Sequence, residues 1–317
     1  MTPTVFIDGE AGTTGLEIRQ RLAGRADLAV VSLAPEKRKD IEARREILNE
    51  ADAVILCLPD AAAREAVSLI ESPRVRVIDA STAHRIEPGW AYGFPEMDRG
   101  QRATIAEARR IANPGCWATA FIALVRPLAT AGLLPSDWPI TASGVSGYSG
   151  GGKAMITEFE DPAAPNYTRV PYRIYALDLA HKHLPEMRVH GRLERAPLFA
   201  PAVGRYRQGM ILEVPLALEA MSGRPSPADV HARLAEAYAG EAFVETVSLE
   251  AAAQLSVLEP EELNGTNKLR LHVFASKSGS QARLVALLDN LGKGAAGAAV
   301  QNLNLALGLP EASGLCN

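Results

Sequence analysis

The sequence predicts an α/β protein in two parts: a Rossmann-type, doubly wound parallel sheet, then an α+β domain with a mixed or antiparallel sheet. Three observations predict it. Val5-Phe6-Ile7 runs into Gly9-Glu10-Ala11-Gly12-Thr13-Thr14-Gly15 and then the amphipathic stretch Leu16–Leu22, which is a strand, a glycine turn and a helix. Apolar runs at Ala29–Leu33, Ala53–Leu58 and Val75–Ile78 alternate with helical segments such as Ala61–Ile70, the pattern of parallel strands covered on both faces. Farther on, the strand-like runs Ile140–Val145, Gly209–Leu218, Lys268–Ala275 and Arg283–Leu288 alternate less cleanly with helices. A chain of 317 residues fits two domains.

Composition removes several classes. The net charge of −4 gives no footprint for nucleic acid. No apolar run approaches the roughly 18 residues of a membrane span, and M-T-P-T-V-F-I-D-G has neither the basic nor the apolar region of a signal peptide. Cys57, Cys116 and Cys316 are far apart and form no C-x-x-C pair, which argues against a disulfide framework or structural zinc and for a reducing, cytoplasmic setting.

The glycine turn is the first candidate site. Gly9, Gly12 and Gly15, with Thr13 and Thr14 beside them, follow G-x-x-G-x-x-G rather than the strict dinucleotide spacing. The mechanics are the same, because glycines let backbone approach a pyrophosphate at a helix N-terminus. In an NAD-binding unit an acid at the end of the second strand holds the ribose hydroxyls. Here Ser32-Leu33-Ala34-Pro35 is followed by Glu36-Lys37-Arg38-Lys39, and a hydroxyl with Lys37 and Arg38 suits the 2′-phosphate of NADP(H). Pro59 and the 79–85 segment with Ser81 and Arg85 fall beyond the carboxyl ends of later strands, where ligands of such sheets bind.

The second candidate is Cys116, in I-A-N-P-G-C-W-A-T. Asn113-Pro114-Gly115 reads as a turn, and Ala118–Leu128 as a helix that begins at the cysteine. Helix-start amides and the helix dipole favour a thiolate there, and the thiolate is the nucleophile. Ser146-Gly147-Tyr148-Ser149-Gly150-Gly151-Gly152-Lys153 is a glycine-rich loop able to cradle phosphate, though Ala154 after the lysine breaks the P-loop spacing. In His181-Lys182-His183-Leu184-Pro185-Glu186 the paired histidines lack further Cys or His nearby, so the expectation is no metal. A histidine acting as acid/base toward Cys116, with Glu186 orienting it, is the alternative. Cys57 sits in an apolar run and reads as core.

Taken together, G-E-A-G-T-T-G-L, V-I-D-A-S-T-A-H-R, Y-G-F-P-E-M, N-P-G-C-W-A-T, S-G-V-S-G-Y-S-G-G-G-K, H-K-H-L-P-E and D-N-L-G-K-G-A-A-G-A-A-V-Q-N-L-N resemble the N-acetyl-gamma-glutamyl-phosphate reductase family, in its shorter type. They span residues 9 to 308 in order. The tail motif also occurs in aspartate-semialdehyde dehydrogenase, while H-x-H-x-P-E and G-F-P-E-M favour the glutamyl family. Trp117, where longer members carry tyrosine or phenylalanine, is a departure that bears on pocket shape. The resemblance implies an NADP-binding domain of residues 1–114 and 292–317, and a catalytic and dimerisation domain of residues 115–291. It implies NADPH-dependent reduction of N-acetyl-glutamyl 5-phosphate to the semialdehyde through a Cys116 thioester, a step of arginine biosynthesis, in a homo-oligomer (dimer or tetramer). His183, before His181, is the implied proton-transfer residue. Asn290 and Gly294 join the cofactor residues; Arg85, Ser146, Lys153 and Lys182 are candidates for substrate carboxylate and phosphate. The rivals are an aspartate-semialdehyde or aminoadipate-pathway reductase and a non-enzymatic NADP-binding regulator; an intact Cys116 and His183 argue against the last.

Overall fold

Residues 2–38 and 40–316 are described in the computed structural model; Lys39, part of the cationic run expected at the cofactor ribose, lies outside them. In chain order the first segment holds Thr4–Asp8 (β1), Thr13–Leu22 (α1), Ala29–Val31 (β2), Ile41–Glu50 (α2), Ala53–Leu56 (β3), Asp60–Leu69 (α3), Arg76–Asp79 (β4), Ala91–Tyr92 (β5), Gln101–Glu107 (α4) and Arg110–Ala112 (β6). These strands form one parallel sheet in the order β2-β1-β3-β4-β6-β5. Successive strand residues point to opposite faces. Val5, Ile7, Ile55, Ile78 and Ile111 therefore enter one apolar layer, and Phe6, Val54, Leu56 and Val77 the other. Both faces are buried, which explains the continuous apolar run of β3. β3 ends at Leu56, so Cys57 lies just beyond the strand rather than inside it, and it packs against the apolar core as its sequence setting indicates.

The remaining elements are Cys116–Thr130 (α5), Thr141–Gly147 (β7), Gly152–Glu160 (α6), Tyr172–Ile174 (β8), Leu184–His190 (α7), Leu198–Gly204 (β9), Met210–Leu216 (β10), Pro227–Ala237 (α8), Val244–Thr246 (β11), Leu249–Ala252 (α9), Leu269–Ala275 (β12), Ala282–Leu288 (β13), a π turn at Gly292–Ala296, and Gly297–Ala306 (α10). β7 to β13 make a second sheet, ordered β11-β12-β13-β10-β7-β9-β8. It is mixed: β11/β12 and β7/β9 are parallel pairs, the other four antiparallel. On β10 the even residues Met210, Leu212, Val214 and Leu216 are buried, whereas Ile211, Glu213 and Pro215 line a groove of about 840 Å³ on the opposite face with Phe274, Arg283 and Val257.

The chain divides into one compact unit of residues 1–95, 99–115 and 295–316 and another of 96–98 and 116–294. The return expected at residue 292 thus comes at Ala295, and Glu96–Asp98 count with the second unit. α10 supplies Ala299, Val300 and Leu303 to the first unit's core.

His272 on β12 is 2% exposed, is stacked on Phe274, and has no hydrogen-bond partner for either ring nitrogen among the described residues. Burial, then the Arg270 charge, pull its pKa below the ordinary histidine value. Above about pH 6.5 neither folded nor unfolded chain carries this proton. Below it the unfolded chain binds a proton that the folded one resists, so stability falls as pH drops toward the folded pKa. His272→Leu should therefore flatten the loss of stability between pH 8 and pH 5.5 in denaturant unfolding. A slope equal to that of the parent chain would refute this.

Candidate active site

The turn ahead of Cys116 is fixed by buried asparagines. Asn113, 1% exposed, donates from Nδ2 to the Ala295 carbonyl (3.0 Å) and accepts at Oδ1 from Asn302 Nδ2 (3.0 Å). Asn302 also donates to the Gly93 carbonyl at 2.9 Å. Arg85 Nε donates to the Asn113 carbonyl at 3.1 Å, so this predicted substrate contact supports the turn. α5 then starts at Cys116, which is half-buried, and residues 117–126 behind it are all buried.

Against the thiol lies the π turn. A Cβ on Gly294 would stand 2.7 Å from the Cys116 Cβ, so only glycine lets this backbone approach so closely. The turn is fixed by a buried ion pair that the sequence reading missed. Lys293 Nζ donates to both Glu96 carboxylate oxygens at 2.8 Å, with the two side chains 1% and 0% exposed, and it also lies over the Phe243 ring. Asp289 accepts from Gln208 Nε2, Gly265 N and Leu291 N, and Asn290 bridges Gly209 N (2.8 Å) and Ser149 Oγ (3.0 Å). The amide of Asn290, expected at the cofactor, is thus engaged in holding loops of its own unit.

The loop from β8 to α7 brings the expected histidines together with a residue the sequence did not signal. Trp117 Nε1 donates to Tyr175 Oη at 2.9 Å, and Tyr175 Oη is 3.5 Å from His181 Nε2. Burial, then the Cys116 charge, push the Tyr175 phenol up, so it stays protonated and lies within electrostatic reach of the thiol. His181 Nδ1 accepts the backbone N–H of His183 at 3.1 Å, and the two rings stand edge to face at 4.7 Å. His183, 5% exposed, has its Nε2 at 4.0 Å from Oε1 of Glu186, itself 1% exposed. The loop is strained: Ala176 and Leu179 have φ of 52° and 57°, left-handed values that non-glycine residues rarely adopt and that cluster at functional sites. Trp117 fits because Gly144 faces it; a Cβ there would be 2.6 Å from Trp117 Cζ3.

The other substrate candidates are more dispersed. Lys153 and Lys182 are exposed, and Ser146 is buried with its hydroxyl donating to the Gly147 carbonyl at 3.2 Å. Among the described residues no group of three or more His, Cys, Asp or Glu is arranged to hold a metal, and no helix is long and apolar enough to cross a membrane.

Apart from Asn290 and Gly294, which belong to the second unit, the dinucleotide candidates lie in the first unit. Gly9 has φ +87°, and a Cβ there would be 2.3 Å from the Cys57 carbonyl; one on Gly15 would be 2.6 Å from the Gly9 carbonyl. These two glycines close the turn on itself. Gly12, exposed and uncrowded, caps α1 with no side-chain acceptor, with Thr13 and Thr14 opening the helix. A cavity of about 340 Å³ adjoins the turn, lined by Gly9, Ala11, Leu33, Leu58 and Ala62 together with the charged Asp8, Glu10, Arg38 and Arg44. Ser32 and Arg38 are both aimed at Glu10, and Lys37 is exposed. Pro59 caps α3. Ser81 is bound at Oγ to Asp79 (2.7 Å), whose carboxylate also contacts His84 Nδ1 at 2.6 Å.

Residues 4–105 match the family model described as semialdehyde dehydrogenase, NAD binding domain, and residues 116–290 match semialdehyde dehydrogenase, dimerisation domain. N-acetyl-gamma-glutamyl-phosphate reductases of Brucella ovis and Brucella suis biovar 1 are each 56% identical to this chain over 309 residues, 97% of this chain and 100% of theirs. Aspartate semialdehyde dehydrogenase II from Vibrio cholerae superposes with a TM-score of 0.71 at 17% identity, covering 97% of this chain and 99% of that one. The enzyme from Francisella tularensis superposes at 0.67 with 12% identity, covering 96% and 99%. These two likenesses speak to the fold.

The ion pair beneath the π turn yields a stability prediction. Lys293→Met leaves the Glu96 carboxylate buried without its cation and should cost about 3–5 kcal/mol in denaturant unfolding. Adding Glu96→Leu should restore most of that loss, because an apolar pair of similar volume carries no desolvation penalty. A double variant no more stable than Lys293→Met would show that the pair is not the coupled unit.

Proposed function

The chain belongs to the N-acetyl-gamma-glutamyl-phosphate reductase family, and from that premise we propose a thioester mechanism carried by Cys116 and His183 and fed by NADPH. The reaction takes N-acetyl-L-glutamyl 5-phosphate to N-acetyl-L-glutamate 5-semialdehyde with release of phosphate, a reductive step of arginine biosynthesis. The observation that supports the mechanism is the half-buried cysteine at the first residue of α5, whose charge acts on Tyr175, a residue whose hydroxyl lies 3.5 Å from His181 Nε2 in the loop that also holds His183 and Glu186.

His183 takes the Cys116 proton, and Sγ attacks the acyl carbon. The bond from carbon to the phosphate oxygen breaks, the protonated His183 returns its proton to the departing phosphate, and an acyl thioester remains on Cys116. The backbone N–H of Cys116 is a donor for the oxyanion formed at each addition. A reduced nicotinamide held by the first unit would supply the hydride for the thioester carbonyl, giving a thiohemiacetal oxyanion on Cys116. Collapse of that oxyanion expels the Cys116 thiolate and frees the aldehyde, and the thiolate regains a proton from solvent, which balances the step. His183 takes the acid/base role over His181, because His181 Nδ1 is committed to the His183 backbone N–H, while His183 has the buried Glu186 carboxylate beside it. Arg85, Ser146, Lys153 and Lys182 are proposed substrate contacts. A nicotinamide cofactor follows from the matched domain; NADPH as the preferred form is our reading, supported by Ser32, Lys37 and Arg38. A homo-oligomer fits the dimerisation domain, and we take it to be a dimer or tetramer in the cytoplasm.

The test of the substrate is phosphate-dependent reduction of NADP⁺ with N-acetyl-glutamate semialdehyde set against aspartate semialdehyde. Only the former should turn over efficiently; equal rates would overturn the assignment. Cys116→Ser should lower turnover by about 10³-fold or more while leaving cofactor binding in place, since an alkoxide is hard to form near neutral pH. Enzyme quenched with acyl phosphate and no NADPH should carry the acyl group on the Cys116 peptide by mass spectrometry. Iodoacetamide should label Cys116 ahead of Cys57, whose thiol is pushed up to about 12 by burial and then by the Asp79 and Asp8 charges. An adduct on another residue would sink the thioester route.

A further inference from the structure

Glu10 stands in the glycine turn, where the fingerprint asks only for backbone, and its carboxylate gathers three donors from separate elements. Arg19 Nη1 of α1 donates to Oε2 at 2.5 Å, Ser32 Oγ just past β2 donates to Oε2 at 2.9 Å, and Arg38 Nη2 donates to Oε1 at 2.6 Å. The Glu10 side chain is 8% exposed, whereas those of Arg19 and Arg38 are 53% and 43% exposed. The two cations therefore reach in from solvent toward a sheltered anion, at the rim of the 340 Å³ cavity. Ser32 and Arg38 are also the residues assigned above to the 2′-phosphate.

We propose that Glu10 is an internal competitor for the 2′-phosphate of NADP and thereby sets how strongly this protein prefers NADP to NAD. The inference rests on the cofactor reading given under Proposed function. Two guanidiniums and one carboxylate leave the cluster with one net positive charge. A phosphate dianion entering beside a stationary Glu10 would reverse that sign and set like charges against each other, which is costly in a partly sheltered site. Glu10 must turn away, giving up three charge-assisted hydrogen bonds that the three phosphate oxygens then replace. NAD offers a hydroxyl at the same point. It donates to the carboxylate and leaves both ion pairs intact. Glu10 consequently weakens binding of the phosphorylated cofactor and narrows the difference between the two.

The test is calorimetric titration of the full-length protein with NADP⁺, NAD⁺, 2′,5′-ADP and 5′-AMP. Glu10→Gln should tighten NADP⁺ and 2′,5′-ADP by about tenfold and leave NAD⁺ and 5′-AMP within about twofold or weaker. Glu10→Ala, whose missing side chain only enlarges the adjoining cavity, must move NADP⁺ in the same direction, so a misfolded glutamine variant does not end the test. Absence of any gain in 2′,5′-ADP affinity in both folded variants overturns the proposal, whichever way NAD⁺ moves. If Arg38→Ala still weakens NADP⁺ in that case, the NADP reading survives without Glu10. Equal affinity for NADP⁺ and NAD⁺ in the parent chain and all variants overturns the NADP reading itself.

Discussion

The geometry of the thiol depends on a lysine ammonium held in a place without water. Lys293 and Glu96 are fully buried, and neither side chain is tolerable there alone, because desolvating a single charge costs several kcal/mol, of the order of the whole stability of a domain. The pair is therefore all or nothing. Its position fixes the π turn, and the turn places the Gly294 backbone against the Cys116 Cβ. Isolated π turns are uncommon and recur at functional sites, since they wedge one extra residue into a helix start. Here that residue lets the lysine reach inward while the next residue, a glycine, faces the cysteine. Nearby, Asp98 pairs with Arg126 through Nε at 2.9 Å and through Nη2, so two successive acids of Glu96–Asp98 are neutralised within the second unit.

Within the first unit, the Asn113 side chain is held by neutral groups. Asn302 Nδ2 donates to Asn113 Oδ1 and to the Gly93 carbonyl, Asn113 Nδ2 donates to the Ala295 carbonyl, and the Asn113 backbone N–H donates to the Asp79 carbonyl at 2.8 Å; the Asn302 Oδ1 is buried without a partner among the described residues. Such a network specifies one arrangement without a charge to desolvate. A glycine at 93 is required by it: a Cβ there would be 2.3 Å from Asn302 Nδ2. The glycine in Y-G-F-P-E-M and Asn302 of the tail motif are thus two sides of one contact, far apart in sequence.

Much of the fold was readable because it rests on local periodicity. The glycine turn of 9–15, the buried strand β3 and the helix at Cys116 each carry their signal within ten residues. Boundaries were less legible. Cys57 was placed in a strand that ends before it, since an apolar run does not reveal where the ladder stops. In the candidate site, Cys116, His181, His183 and Glu186 can be singled out from residue type and spacing, while Tyr175 cannot, because a lone tyrosine in a loop looks like any other until Trp117 donates to it. Glu96 and Lys293 were visible in their motifs but lie almost 200 residues apart, and pairing at that separation has no sequence period. Glu10 carries no signal of its own in the turn, because what matters is the convergence of Arg19, Ser32 and Arg38 on it, which only tertiary structure supplies.

Two thiols of this chain show how backbone setting decides reactivity. Cys57 follows the carboxyl end of β3, where strand carbonyls point outward and the carboxylates of Asp8 and Asp79 stand nearby; burial and those charges all oppose a thiolate. Cys116 opens α5, where the first amides of a helix have no carbonyl behind them and the dipole favours an anion. Both are half-buried cysteines beside glycine turns, and composition cannot tell them apart. What separates them is polarity of the adjoining element: a strand ending presents oxygen, a helix beginning presents N–H. The α/β order of this chain generates both kinds of terminus repeatedly, and Cys116 is the cysteine that stands at a helix start.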